Sequence, residues 1–229
     1  MNKQLLAAPA RGAFAHPRSI VRGLSSAFLK LSLLALVALL GAATASAATI
    51  TSTATGGPWA TAGTWVGGVA PAVGDTVIIA TTGAGNVSIA ANLAQTAAGS
   101  VTVNNGAILN ITTAGVTVTL GALTVSSGGI VTANRALTVL GATSISGTIN
   151  FGSTSATARL MTFTGDVTLN SGAVWNETTT GAAATFSFGG NFANNATTFT
   201  PQTTTHTFTG AAKTLSGTTA TSLTSVRQR

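Results

Sequence analysis

The sequence predicts an all-β chain wound as a right-handed parallel β-helix, a β-solenoid with coils of about 20–25 residues. Three observations point to it. Short runs alternate aliphatic and small polar residues with a period of two, as in Val101-Thr-Val103, Val116-Thr-Val118, Leu123-Thr-Val125 and Val167-Thr-Leu169, which is the strand pattern. A glycine recurs at the same place in five aligned segments, Gly121, Gly141, Gly165, Gly189 and Gly210, in steps of 20, 24, 24 and 21 residues. Charged residues make up only 6% of the chain against 45% hydrophobic. That is too few charges for coiled-coil pairing and too much aliphatic content for a disordered segment.

The first element is a leader. Lys3, Arg11, Arg18, Arg22 and Lys30 all precede the apolar run from Leu31 to Leu40, which is followed by small residues ending in Ala45-Ser46-Ala47. A basic start, a short apolar run and a small-x-small site describe a secretory signal peptide over residues 1–47, with the apolar run helical and the mature chain starting at Ala48. A membrane anchor is the rival reading, because Leu31 to Ala48 carries no charge. The small, polar second half argues against it. No Arg-Arg pair marks a twin-arginine route. Localisation is therefore expected to be secreted or cell-surface, with membrane contact only during export.

The leader also explains the charge. Of the net +7, five cations lie before Leu31, and the rest of the chain sets Arg135, Arg159, Lys213, Arg227 and Arg229 against Asp75, Asp166 and Glu177. Five scattered cations do not form the basic stripe that nucleic acid requires. With no Cys, disulfides, Cys-ligated metals and a Cys nucleophile are excluded.

Residues 48–80 form the second element, an N-terminal cap carrying Trp59 and Trp65. A solenoid end must hide its open core and strand edges, which bulky indoles serve. Residues 81–229 form the repeats. Each reads strand, glycine, strand, polar turn, strand, the turns being Asn104-Asn-Gly-Ala-Ile108, Ser126-Ser-Gly-Gly-Ile130, Ser146-Gly-Thr-Ile149 and Asn170-Ser-Gly-Ala-Val174. Val, Ile, Leu and Phe point inward, Thr and Ser outward, and glycine at the corners tolerates positive φ. Seven or eight coils about 4.8 Å apart make a rod roughly 35 Å long. The alternative is an antiparallel sandwich, for which Asn105-Gly106 offers a hairpin turn. The end at Leu223–Arg229 shows no evident cap. An incomplete array that self-associates through its open C-terminal end is expected.

The block Trp59-Ala-Thr-Ala-Gly-Thr-Trp65-Val-Gly-Gly68-Val-Ala-Pro71-Ala-Val-Gly74-Asp75-Thr-Val77-Ile-Ile79 resembles a recurrent opening of secreted bacterial surface proteins. It is also similar to the start of the G8 domain of extracellular proteins. Phe186-Ser-Phe-Gly-Gly-Asn-Phe192 and Thr207-Phe-Thr-Gly210 resemble units of large bacterial adhesin-like β-helix proteins. The resemblance implies an extracellular β-solenoid in which Trp59, Trp65, Gly68, Pro71, Gly74 and Asp75 are structural. It implies no catalytic residue.

The candidate chemistry is sparse. Glycoside hydrolysis needs two carboxyl groups about 5–10 Å apart. Asp75 in Gly74-Asp75 reads as a turn residue, while Asp166 and Glu177, half a coil apart, fall on different sides of the rod. Asp166 can pair on the surface with Arg159 or Lys213. Arg135 and Arg159 occupy equivalent repeat positions and stack into a small cationic spot for an anionic glycan or lipid headgroup. His206 has no acidic residue or second histidine near it in sequence, so no metal is expected there. No cofactor is expected either. Thr117-Val-Thr119 is not repeated as an aligned T-x-T column, which argues against ice binding. Sequons begin at Asn86, Asn110, Asn176 and Asn195. The expected function is non-catalytic, in adhesion or as a surface scaffold, with host or matrix glycans or proteins as partners. The alternative is a carbohydrate-active β-helix, either a polysaccharide-binding module or a lyase or hydrolase fragment.

Overall fold

The computed structural model describes residues 46–82, 85–152, 159–177, 183–223 and 225–229. The leader and its expected helix therefore lie almost entirely outside the described residues. From Ala48 onward the chain is a right-handed parallel β-helix. Strands β1 (Thr49–Thr51) and β2 (Gly56–Pro58) begin the first rung. The second holds β3 (Thr76–Ile79), β4 (Asn86–Ser88) and β5 (Leu93–Ala94), and the third β6 (Ser100–Val103), β7 (Ile108–Ile111) and β8 (Thr117–Leu120). The fourth holds β9 (Ala122–Val125), β10 (Ile130–Ala133) and β11 (Ala136–Val139), and the fifth β12 (Thr143–Ile145), β13 (Thr148–Asn150) and β14 (Arg159–Phe163). The sixth holds β15 (Val167–Leu169), β16 (Val174–Asn176) and β17 (Ala184–Phe188). The seventh holds β18 (Phe192–Asn194), β19 (Thr198–Thr200) and β20 (His206–Phe208). β21 (Leu215–Ser216) and β22 (Val226–Gln228) start an eighth.

Like strands of successive rungs stack into three parallel sheets: a first in the order β1-β3-β6-β9-β12-β15-β18-β21, a second running from β2 to β19, and a third running from β5 to β22. Register fixes the coil length. In the first sheet Thr76 faces Ser100, Ser100 faces Ala122, Leu123 faces Thr143, Thr143 faces Val167 and Val167 faces Phe192. These steps are 20 to 25 residues, the first sheet opens with one of 27 from Thr49 to Thr76, and the second sheet ranges from 18 to 30; the ladder hydrogen bonds run between rungs. The sandwich alternative is excluded. Asn105-Gly106 turns a corner, with Gly106 at φ 75°, and does not close a hairpin.

The core changes along the rod. Rungs two to four are filled by aliphatic side chains such as Val77, Val101, Leu109 and Leu123, all 0–1% exposed. From the fifth rung on, Phe151, Phe163, Trp175, Phe186, Phe188 and Phe192 take over, with ring centroids 4.6–6.4 Å apart in tilted, stacked and edge-on pairs. Each fully buried side chain of this kind contributes roughly 1.5–3 kcal/mol.

The glycines divide by role, which corrects the expectation that the recurring series serves positive φ. Gly121, Gly141 and Gly165 do stack at one corner, where Gly190 rather than Gly189 lies over Gly165, and none of these has a positive φ. Their backbones are pressed together: Gly141 N–H donates to Gly121 O at 2.9 Å. A Cβ on Gly121 would overlap the Gly99 carbonyl, and one on Gly165 the Gly141 carbonyl. The polar-turn glycines Gly106, Gly128 and Gly172 do take a positive φ, as does Gly210, the last of the recurring series.

The segment 48–80 is more than a cap. β1 and β2 pair in parallel with β3 and β4 and so lay down the first rung. The excursion from Trp59 to Asp75 closes the end.

Candidate functional site

The opening motif is a closing device. The Trp59 and Trp65 rings meet edge-on at 5.1 Å, and Trp65 Nε1–H donates to the Trp59 carbonyl at 2.7 Å. Both indoles are at least 95% buried, so they seal the core. Gly68 and Gly74 take φ of 68° and 90° in the excursion, and Pro71 lines a cleft with Trp59 and Leu93. Asp75, itself 7% exposed, accepts the N–H of Ala72 on Oδ2 and that of Ala48 on Oδ1, each at 2.8 Å. The turn role read from Gly74-Asp75 is what the structure shows. The tie to Ala48 adds a second role that its sequence distance conceals.

Extending the β11–β14 register two residues back from Leu137 and Met161 brings Arg135 and Arg159 to equivalent places on neighbouring rungs. Their heads part company. Arg135 donates from Nε to the Thr113 carbonyl at 3.0 Å and from Nη1 to the Asn134 carbonyl at 2.8 Å. Arg159 begins β14 on its inward face, is 6% exposed, and donates from Nη1 to the Gly152 carbonyl at 3.0 Å. Burial, and secondarily the nearby Arg135 charge, push the Arg159 guanidinium below its ordinary value. The two-arginine surface spot is therefore corrected to one accessible arginine and one turned into the wall.

The three carboxylates serve structure. Asp166, at the corner before β15, accepts the Asn191 N–H at 2.8 Å, and among the described residues it pairs with neither Arg159 nor Lys213. Glu177 follows β16 and is fully buried. Asp166 and Glu177 thus sit apart, as half a coil predicts, one at the surface and one inside.

His206 corrects the sequence reading, because an acidic partner comes to it from the previous rung. Its Nε2 lies 3.0 Å from Glu177 Oε2 and 3.2 Å from Oε1, with both side chains buried. Glu177 also accepts Trp175 Nε1–H at 2.6 Å and the Gln202 N–H at 2.9 Å. His206 Nδ1 sits 3.0 Å from the Thr204 carbonyl, which can only accept, so Nδ1 carries a proton. The imidazole lies nearly parallel to Phe186, centroids 5.1 Å apart, and so belongs to the aromatic column. Sealed in this way, it reaches no solvent; among the described residues no three His, Cys, Asp or Glu gather.

The sequon residues also take part in the wall. Asn176 Nδ2 donates to Asn150 Oδ1 on the rung before, at 3.3 Å, and Asn195 Oδ1 accepts the Thr218 N–H at 2.9 Å. Comparison with known proteins returned no matching family model, curated protein or solved structure.

Proposed function

We propose that this chain is a non-catalytic, secreted or cell-surface β-solenoid acting in adhesion or as a surface scaffold, akin to the adhesin-like β-helix proteins its repeats resemble. The observation that carries the reading is the fate of its carboxylates: Asp75 clamps a turn, Asp166 a corner, and Glu177 the buried histidine. Outward columns such as Thr102, Thr124, Ser144 and Thr168, or Asn110, Thr132, Asn150, Asn176 and Thr200, stack in register and suit presenting surface. The leader supports export. A carbohydrate-active module is the second reading, favoured by a hydroxyl-lined cleft on the third sheet.

Two measurements test the proposal. A C-terminally tagged chain, expressed in a secreting bacterium, is fractionated and shaved with external protease, and cells with and without it are scored for attachment to matrix-coated surfaces. Protease-accessible chain and increased attachment are expected. Retention in the cytosol, or turnover of a polysaccharide by the purified chain, would overturn the reading.

A further inference from the structure

The outer face of the third sheet carries a feature the sequence does not display. Its register stacks Thr119, Thr138, Thr162, Ser187 and Thr207 in one outward column, and the next position in that column is Arg227. Neighbouring hydroxyls are separated by the spacing of the strands, about 4.8 Å. At the C-terminal end of the column lies a cleft of about 370 Å³, lined by Leu160, Thr185, Ser187, Thr205, Arg227 and Arg229 among others.

The chemistry of the lining is specific. Arg227 lies on β22, paired with the outward Thr207, Arg229 follows just past its end with its N–H on the Phe208 carbonyl, and both line the cleft and are exposed. Among the described residues neither makes an ion pair. The three acidic side chains of the region after the leader are engaged elsewhere. Leu160, 52% exposed, offers an apolar wall opposite the arginines. Donors and acceptors thus cover the floor, cationic forks stand at one end and a small apolar patch at the other.

We infer that this cleft and the hydroxyl column leading to it bind an acidic polysaccharide. A sugar ring presents hydroxyls to the Thr and Ser floor and an apolar C–H face to Leu160. Its carboxylate or sulfate takes the guanidinium forks, which match planar oxyanions in bidentate fashion. A small inorganic anion would leave the column unused, whereas a polymer can follow it from rung to rung. The inference rests on the surface-protein reading, deepens it by naming the ligand class, and moves the anion contact from Arg135 and Arg159 to Arg227 and Arg229.

The test is affinity electrophoresis of the full chain through native gels containing polygalacturonate, dextran sulfate, neutral dextran or polyphosphate. The leader's charges are common to every variant, so only differences between variants count. Retardation by polygalacturonate or dextran sulfate is expected, the stronger of the two identifying the acid group. The double variant Arg227→Gln/Arg229→Gln should bind about tenfold more weakly, as loss of charge-assisted bonds predicts. Thr185→Val/Thr205→Val should weaken binding even at salt concentrations that screen the arginines. Arg135→Gln should bind as the parent does, and unchanged melting temperatures confirm that each variant is folded. Equal binding by parent and Arg227→Gln/Arg229→Gln would overturn the inference. So would polyphosphate binding as tight as either glycan, which would show charge alone at work. Either failure leaves the localisation and attachment results, and with them the scaffold reading, where they stood.

Discussion

The main-chain nitrogen of Ala48 lies 2.8 Å from Oδ1 of Asp75, 27 residues further along the chain. The Ala48 carbonyl in turn accepts the N–H of Thr76 at 2.8 Å. Ala48 is also the residue that follows the small-x-small triplet Ala45-Ser46-Ala47, where the sequence predicts a leader to end. Cleavage there would turn a neutral amide donor into an α-ammonium facing a nearly buried carboxylate. Processing and the fastening of the first rung would then meet at one atom.

The first prediction follows from that contact. In a chain starting at Ala48, Asp75→Asn should cost about 1.5–3 kcal/mol, the range for hydrogen bonds to a charged group. The same substitution should cost less in a chain with an uncleaved residue before Ala48. Urea melts of the four proteins measure the difference. Equal losses would show that the ammonium adds nothing.

A second prediction concerns Glu177 and His206. Removing either member of a buried pair leaves the other unmatched, at about 3–5 kcal/mol. Glu177→Leu and His206→Phe should each destabilise to that order. The double variant should lose clearly less than both losses combined, because Phe at 206 extends the aromatic column on Phe186. Chemical denaturation of the cycle gives the coupling, and strict additivity would mean that the pair does not interact.

The two kinds of glycine give a third. Gly121→Ala places a methyl against the Gly99 carbonyl, so the rungs must separate, at a cost of about 2–3 kcal/mol or more. Gly106→Ala has open space around its Cβ and suffers only the left-handed backbone, about 1–2 kcal/mol. Thermal melting should rank Gly121→Ala below Gly106→Ala. The reverse order would refute close backbone contact as the reason for the column.

The fourth concerns the C-terminal end. Leu223 packs on the core beside Phe188, Phe192 and Phe199, and Thr219 N–H bonds the Asn194 carbonyl at 3.0 Å, so the interior there is partly covered. The edges are less protected: β19, β21 and β22 are terminal strands of their sheets, and Leu215 and Val226 are about half exposed. Exposed edges template pairing with other chains. The chain should self-associate as concentration rises, and a polar capping coil fused after residue 229 should suppress this and raise the melting temperature. Light scattering that finds the uncapped chain monomeric throughout would refute the expectation.

The sequence by itself determined the coil. Alternation with period two assigns each residue to a face, and a one-residue slip would reverse every face, so Val101-Thr-Val103 and its relatives admit one packing. The glycine steps likewise give the rung length to within a few residues. Only the tertiary structure decided which residues meet across rungs. Glu177 and His206 are 29 residues apart, and Ala48 and Asp75 27, the step by which Thr49 meets Thr76 in the long first coil. Corner and loop lengths, varying from rung to rung, set those meetings. Arg159 shows the other limit. Its type says solvent, but its position opens the inward face of β14, and backbone geometry, acting before side-chain preference, turned it into the wall.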